Sequence, residues 1–416
     1  MAAAVALVEK GFPVTLFESA KQLGGRARGV AHEGAQLDNG QHILLGCYKE
    51  TLSLIEKVGG NIEQDFLRFP LQLVMHKHFS LKAPRLPAPY HLLAALFNTR
   101  GLRWTERLSA ARFMLRLRQI NFELDQDQPA SELLALHRQG VDLVQKLWEP
   151  LCIAALNTPL QIASAQVLLN VLKDALHQTR SDSDMLIPRI DLTSLFPSRA
   201  ASHVKQHGGH VLTSCGVESL LPREDGFEIS TRRGSLYFSH VICATAPAAA
   251  AKLLKPIAEL NLVAEEIAAL QHQPIYTLYL QYSGHVKLPH AMLGLYQRYS
   301  QWLFDKGQIS GQRGLIASVI SARGIHQHLS QEELAQKVIA ELAEELSLKE
   351  KPLWFRVIAE KRATFSCTPG LQRPNQQTPL PGLLLAGDYT KGDYPATLEG
   401  AIQSGLRCAN LLGALT

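Results

Sequence analysis

The hydrophobic and polar positions along the chain follow the pattern of alternating helices and strands. Residues 2–8 are all apolar and lie shortly before Gly11, which predicts a helix that ends at this glycine. The apolar run 13–17, closed by the acidic Glu18, predicts a buried parallel strand. An α/β chain normally opens with a strand, and no strand pattern precedes this first helix.

The rest of the chain divides into a largely helical middle and flanking regions with strand patterns. Helices are predicted at 43–58, 104–122, 142–148, 163–176, 331–346 and 396–412. Strands are predicted at 71–81, 209–213, 227–231, 236–244, 276–282, 315–320, 354–359 and 382–386. This order predicts an α/β protein with a partly helical substrate domain inserted between its segments.

Composition narrows the classes of function. The 416 residues are 46% hydrophobic and 19% charged, which is typical of a folded protein large enough for two domains. The net charge of +5 comes without a long basic run, so a nucleic-acid partner is not expected. The six cysteines have no metal-site spacing, which predicts free thiols in a reducing cytoplasm and no metal. No apolar stretch of membrane-spanning length is present.

Glu18 is the first candidate cofactor ligand. An acid at the end of the second strand of a dinucleotide-binding fold accepts hydrogen bonds from the adenosine ribose. The glycine-rich turn normally lies about 20 residues earlier, which here would precede Met1. We therefore expect the first strand and its G-x-G-x-x-G segment to be absent from this chain. A surface acid at a strand end is the alternative interpretation.

Two glycine-containing blocks near opposite ends of the chain predict a phosphate-containing ligand. Gly24 and Gly25 allow close approach of the backbone, and Arg26 adds a fixed positive charge. In the second block an apolar strand runs into Gly387 and Asp388, and a helix starts a few residues later. In such a strand–turn–helix arrangement, the acid and the N-terminal amides of the helix point toward the polar part of a cofactor. The alternative for the first block is an ordinary Gly-Gly turn with a solvated arginine. The alternative for the second block is a capped surface helix.

These blocks resemble those of the FAD-dependent amine oxidases and carotenoid desaturases. The resemblance implies FAD bound by Glu18, Gly24, Gly25, Arg26, Gly387, Asp388, Thr397 and Glu399. It also implies a Rossmann-like FAD-binding domain made of 1–65, 201–255 and 356–416. The remaining segments, 66–200 and 256–355, would form a substrate domain of antiparallel sheet and helices. The flavin ring is then expected at the interface of the two domains.

A narrower resemblance rests on Asp38–Asn39–Gly40–Gln41–His42 and on the segments 148–159 and 183–197, which are similar to those of bacterial hydroxysqualene dehydroxylases. It implies reductive removal of a hydroxyl group from an apolar isoprenoid in hopanoid or related triterpenoid synthesis, with NADPH as a possible electron donor. Loss of hydroxide needs an acid, and His42 and Asp184 are the candidates. Such a substrate also favours a cytoplasmic protein that contacts the inner face of the cell membrane.

Other functions stay open at this point. A carotenoid desaturase or an amine oxidase would use the same FAD blocks but would oxidise its substrate. A truncated, FAD-free chain without enzyme activity is the third possibility. The arginine-rich helix predicted at 104–122 has two interpretations, contact with anionic lipid or an ordinary amphipathic helix against the core.

Overall fold

The computed structural model describes residues 1–176 and 179–413, and strands and helices alternate along them. Residues 414–416, the last three of the predicted C-terminal FAD-binding segment, lie outside the described residues. The predicted α/β class is confirmed. The middle of the chain, residues 90–176, is largely helical, as predicted.

The strands are β1 (Thr15–Phe17), β2 (Gly29–His32), β3 (Ala35–Asp38), β4 (Leu44–Leu45), β5 (Phe66–Phe69), β6 (Gln72–Met75), β7 (Phe79–Lys82), β8 (Met185–Pro188), β9 (His210–Leu212), β10 (Val217–Arg223), β11 (Gly226–Thr231), β12 (Gly234–Phe238), β13 (Val241–Cys243), β14 (His272–Gln281), β15 (Met292–Gly294), β16 (Trp302–Asp305), β17 (Leu315–Ser321), β18 (Trp354–Phe365) and β19 (Leu383–Leu385).

The α-helices are α1 (Ala2–Glu9), α2 (Lys49–Lys57), α3 (Ile62–Asp65), α4 (Tyr90–Phe97), α5 (Trp104–Gln119), α6 (Ala130–Leu136), α7 (Val141–Leu143), α8 (Glu149–Leu156), α9 (Ala165–Leu176), α10 (Leu192–Leu195), α11 (Pro197–Gln206), α12 (Pro247–Leu254), α13 (Asn261–Ala269), α14 (Lys306–Ser310), α15 (Gln331–Leu346) and α16 (Leu398–Gly413). A π-helical turn, Val144–Trp148, joins α7 to α8, and short 3₁₀ turns cover Arg180–Ser183, Ala258–Leu260 and Ile325–His328.

One large mixed sheet forms the substrate half of the molecule. Its seven strands follow the order β18–β14–β17–β16–β15–β6–β7, and only the β15–β6 contact among them is parallel. β14 pairs along its length with both neighbours, so its backbone groups have partners on both sides. Apolar residues of this sheet and of α15 form a buried cluster, which anchors the sheet.

The predicted FAD-binding half contains shorter, parallel pairs of strands. β1 pairs with β9, and β13 pairs with β19, over three residues each. α1, α11 and α16 pack around these pairs with largely apolar contacts. No strand in the described part of the chain joins the two pairs into one sheet. Each pair ends where a predicted cofactor ligand begins, at Glu18 and just before Gly387.

The structure corrects several predicted elements. The predicted helix 43–58 is wrong in its first third, because Leu44 and Leu45 form β4 against β8 and the helix starts at Lys49. The predicted strands 71–81 and 236–244 are each two strands. In contrast, the predicted helix 331–346 agrees with α15, whose start is set by a capping box between Ser330 and Glu333.

Candidate functional site

Glu18 lies at the carboxyl end of β1, where a ribose-binding acid is expected. Its carboxylate accepts a hydrogen bond from the backbone N–H of Ala20 at 2.8 Å. Its backbone continues the pairing with the β9 side through Leu212 and Cys215. The local turn therefore holds the carboxylate at the end of the parallel pair, in the position from which such an acid reaches a nucleotide.

The Gly24–Gly25 step makes a tight turn that places Arg26 against Asp388. Gly24 has φ +116°, and a Cβ there would lie 2.4 Å from the carbonyl oxygen of Ala27. A side chain is therefore excluded at this position. The arginine donates to Asp388 Oδ1 at 2.6 Å and to the carbonyl oxygen of Ala363. Burial opposes its charge, but Asp388 holds the pKa of Arg26 above its ordinary value.

The second block follows the buried strand β19. Gly387, at φ +151°, donates its backbone N–H to Ser404 Oγ on α16 at 3.1 Å. Thr390 also hydrogen-bonds to Ser404, at 2.7 Å, which ties the Gly-Asp turn to the helix. Asp388 is buried and faces Arg26. The two blocks, which stand 362 residues apart in the chain, therefore meet in one site.

Arg373 organises the loop between β19 and α16, and sequence reasoning missed it. Its guanidinium donates to the carbonyl oxygens of Asp388 at 3.3 Å and Tyr394 at 3.0 Å, and also to that of Gly392. It lies 5.0 Å from the centre of the Phe365 ring. An arginine that satisfies three carbonyl groups fixes the loop shape. The Arg-Pro step at 373–374 belongs to no motif that we identified, so the sequence offered no signal.

The two predicted ligands at the start of α16 face the protein itself. Thr397 Oγ1 accepts from the backbone N–H of Gly400 at 3.1 Å, as helix-capping residues do. The Glu399 carboxylate accepts from the Thr51 backbone and hydroxyl at 2.9 and 2.6 Å, and from the backbone N–H of Glu50 at 3.2 Å. These bonds cap the N-terminus of α2. A contact of either residue with a cofactor stays a prediction.

The segment Asp38–His42 lies against the Arg26 turn. Asn39 Nδ2 donates to the carbonyl oxygen of Arg26 at 3.0 Å. Burial, and then the positive charge of Arg26, lower the pKa of His42 to about 4. His42 is therefore neutral at pH 7. The structure thus brings this candidate catalytic residue beside the Arg26–Asp388 pair.

A second buried ionisable pair supports this segment from the substrate half. Burial raises the pKa of Asp38 to about 6, although Lys306 opposes the shift. The Lys306 side chain is itself buried, and burial lowers its pKa. Asp38 accepts from the backbone N–H of Leu192 at 2.8 Å, and the Tyr279 hydroxyl donates to its carbonyl oxygen at 3.0 Å. Sequence reasoning named Asp38 only as part of the resembling segment and did not name Lys306, because their proximity depends on the tertiary structure.

Asp184, the other candidate acid, lies in a separate ion-pair cluster. Its Oδ2 accepts from Arg68 at 2.9 Å, and its Oδ1 accepts from Arg180 at 3.0 Å. Both oxygens are therefore engaged by guanidinium groups. The backbone carbonyl of Asp184 accepts from Gly46, which places the cluster next to the segment that follows His42. Its catalytic role stays a prediction.

The residues present fit FAD. The pyrophosphate of FAD needs positive charge and close backbone approach, which Arg26 and the open Gly25 offer, and its hydroxyl groups need an acceptor such as Asp388. The Tyr389 side chain is 1% exposed, and its hydroxyl has no hydrogen-bond partner among the described residues. Arg26 and Asp388 both act electrostatically on that hydroxyl. A buried hydroxyl without a partner at this point is suited to a polar ligand.

Metal chemistry has no comparable support. Within residues 1–176 and 179–413, no three His, Cys, Asp or Glu side chains lie together as metal ligands. All six cysteines are free and buried. The polar groups of the site are those that bind an organic anion with hydroxyl groups.

Comparison with known proteins gives consistent relatives. The family profile described as "Flavin containing amine oxidoreductase" matches residues 1–412. Hydroxysqualene dehydroxylase of Zymomonas mobilis is 24% identical, with 99% of this chain and 96% of that protein covered. The enzyme of the same name from Rhodopseudomonas palustris is 25% identical, with 99% of this chain and 95% of that protein covered. Zeta-carotene desaturase of Solanum lycopersicum is 23% identical, with 97% of this chain and 77% of that protein covered.

Solved structures show the same fold. An oxidoreductase from Methanosarcina mazei superposes with a TM-score of 0.76 at 15% identity, over 98% of this chain and 97% of that one. Cyclohexylamine oxidase from Brevibacterium oxydans gives a TM-score of 0.69 at 15% identity, over 100% and 96%.

Proposed function

The chain belongs to the family of flavin-containing amine oxidoreductases and is an FAD-dependent oxidoreductase, and we propose that it converts hydroxysqualene to squalene. The observation that carries the proposal is the position of Asp38–His42 against Arg26. This segment, whose sequence resembles that of hydroxysqualene dehydroxylases, lies at the site that fits FAD. The full-length relatives with that name support the same substrate class, an apolar isoprenoid.

The reaction exchanges a hydroxyl group for a hydrogen. The C–O bond of the substrate breaks, a C–H bond forms, and the hydroxide takes up one proton from the solvent and leaves as water. Reduced FAD supplies the hydride when it is bound. We propose NADPH as the source of the two electrons that each turnover consumes. Arg26 and Asp388 would hold the polar part of the cofactor.

We propose His42 as the residue that assists the leaving hydroxyl group. With a pKa of about 4, His42 is neutral at pH 7 and would act as a hydrogen-bond donor, not as an imidazolium acid. Asp184 remains the second candidate, but both of its oxygens are engaged by arginines. If the proposal holds, kcat does not change around pH 6.5, where an ordinary histidine would titrate, because the pKa of His42 is about 4. His42→Asn should lower kcat roughly 100-fold, whereas Asp184→Asn should change it less.

The proposed apolar substrate also favours binding of the protein to a lipid surface. Squalene-like molecules dissolve in membranes, so we propose that the protein contacts the inner face of the cell membrane. In the described part of the chain, no helix is long and apolar enough to cross a bilayer. The proposed contact is with the surface of the membrane, where helices with apolar and basic residues bind.

Expression in cells that make hydroxysqualene but no squalene tests the substrate. We expect squalene to appear with the natural sequence and to be absent with Asp388→Ala, while the exposed control Glu332→Ala behaves like the natural sequence. A desaturated product from cells that make carotenoid precursors would instead assign the chain to the carotenoid desaturases. Peroxide formed during amine oxidation would assign it to the amine oxidases. Neither result is compatible with the dehydroxylase proposal.

A further inference from the structure

The positive charge of the chain is concentrated in one segment. Residues 82–118 contain eight Lys or Arg and a single acid, Glu106. Their net charge is +7, so the rest of the chain sums to −2 in a protein of net charge +5. The segment contains α4 and α5, and most of its basic side chains are exposed. A modest overall charge therefore hides a strongly basic surface.

The same segment exposes large apolar side chains. Tyr90, at the start of α4, is 64% exposed, and Trp104, at the start of α5, is 62% exposed. Leu108 and Leu115 are exposed further along α5. Their spacing of four and then seven residues puts Trp104, Leu108 and Leu115 on one side of the helix. The opposite side, which includes Phe113 and Leu117, is buried in the core.

Arginines flank this apolar stripe. Arg112 and Arg116 are exposed on α5, and no carboxylate in the described residues lies within 4 Å of either. Arg107 stacks on Trp104, 4.7 Å from the ring centre, and donates to the carbonyl oxygen of Phe97. Phe97 also contacts Trp104, with ring centres 6.0 Å apart. These contacts join the end of α4 to the start of α5 and hold the Trp104 ring at the surface.

We propose that this α4–α5 surface, made of Tyr90, Trp104, Leu108, Leu115, Arg112 and Arg116, docks on an anionic lipid bilayer. Tyr and Trp prefer the interface between water and lipid, and a helix with apolar and basic residues lies in the headgroup region. The proposal rests on the proposed function, because an apolar substrate must be taken from lipid. A second copy of the chain is a poor occupant, since two surfaces of like charge would repel each other.

Binding of the purified full-length protein to lipid vesicles tests this inference. One set of vesicles is phosphatidylcholine alone, and the other contains phosphatidylglycerol as the anionic lipid. We expect binding to the anionic vesicles that weakens with salt, and little binding to the neutral ones. Tryptophan emission should shift to the blue on binding, because Trp148 and Trp302 are buried and Trp354 is half-buried, while Trp104 is 62% exposed. Brominated lipid should quench Trp104, and Trp104→Phe should abolish most of this quenching.

Charge and apolar contacts are tested separately. Each arginine near the surface contributes about 1 kcal/mol, so Arg112→Gln with Arg116→Gln should weaken vesicle binding roughly 30-fold. The control Lys252→Gln with Lys255→Gln removes two exposed lysines elsewhere and should change binding less than twofold. Leu108→Ser should weaken binding, and Leu262→Ser, at a leucine on α13 that is more exposed (80% against 43%), should not.

Several results would overturn the inference. These are no vesicle binding, equal binding to neutral and anionic vesicles, or equal losses in the control variants. Tight, salt-sensitive binding of single-stranded RNA without vesicle binding would assign the surface to nucleic acid. The outcome is separable from the proposed function. Dehydroxylation of detergent-dispersed substrate without vesicle binding would reject the lipid surface alone, and vesicle binding without dehydroxylation would reject the substrate alone.

Discussion

The two halves of the molecule are held together in different ways. In the substrate half, the long strands β14, β17 and β18 pair over seven or more residues and bury an apolar cluster. In the cofactor half, parallel pairs of only three residues are packed by apolar residues of α1, α11 and α16, and the Arg26–Asp388 ion pair joins opposite ends of the chain. Long backbone pairing dominates the first half, whereas in the second half a polar pair holds the two cofactor blocks together.

This difference separates stability from cofactor binding. A buried apolar residue in the cluster between the large sheet and α15 contributes to the free energy of unfolding, and this cluster contains none of the candidate FAD ligands. A polar residue of the cofactor half contributes to both, because the same group that joins two segments also faces the ligand. Four substitutions test this contrast, from the largest expected effect to the smallest.

Asp388→Ala should have the largest effect because it leaves the Arg26 charge without its carboxylate. Asp388 is buried but the Arg26 side chain is 34% exposed, so the loss of free energy of unfolding should be about 2–3 kcal/mol, at or below the low end for a fully buried pair. Flavin affinity should fall roughly 100-fold, since charged hydrogen bonds contribute about 1.5–3 kcal/mol each. Chemical denaturation and flavin absorbance per protein measure the two effects. Glu332→Ala, on the exposed face of α15, is the control, and an equal flavin content in both variants would contradict the assignment of Asp388.

Leu280→Ala should lower stability to a similar extent without changing flavin binding. Leu280 is fully buried in the middle of the large sheet. Truncation of such a leucine costs about 3 kcal/mol, because apolar contacts are lost and a cavity remains. Flavin titration below the unfolding transition should match that of the natural sequence. A variant that loses flavin while it remains folded would show that the two halves are coupled, against the contrast drawn above.

His42→Asn should make the protein less sensitive to acid. In the folded protein the pKa of His42 is about 4, against 6.5 in the unfolded chain. As the pH falls below 6.5, the unfolded chain takes up this proton first, so acidification destabilises the fold. Between pH 7 and pH 5 the loss from His42 is about 2 kcal/mol. Urea midpoints at both pH values should therefore differ less in the variant, and an unchanged difference would show that His42 is accessible to water.

Tyr389→Phe should have the smallest effect and a diagnostic sign. The buried hydroxyl has no partner in the described chain, so its removal should leave the flavin-free protein as stable or more stable, by about 1 kcal/mol. If the hydroxyl serves the cofactor, flavin affinity should fall roughly fivefold in the same variant. Calorimetry of the flavin-free form and flavin titration measure the two signs. Lower stability with unchanged flavin affinity would mean that the hydroxyl serves the fold alone.

Local patterns predicted the elements whose causes are local. The amphipathic pattern at 331–346 predicted α15, and the apolar run before Glu18 predicted β1. The helix predicted at 43–58 starts later because Leu44 and Leu45 hydrogen-bond to β8, about 140 residues further along the chain. Local propensity contains no information about such a partner.

For the candidate site, the sequence by itself determined which residues have the right chemistry and backbone freedom. Gly24, Arg26, Gly387 and Asp388 belong to this group, and the family match over residues 1–412 agrees with the FAD chemistry that they predicted. Only the tertiary structure decided how their side chains are used. In the folded chain Glu399 binds the N-terminus of α2, and Asp184 pairs with two arginines. Lys306 lies near Asp38, and Arg373 hydrogen-bonds to the loop before α16. The physical reason is that burial and pairing act between segments far apart in sequence, and these interactions set the direction and the charge state of each group.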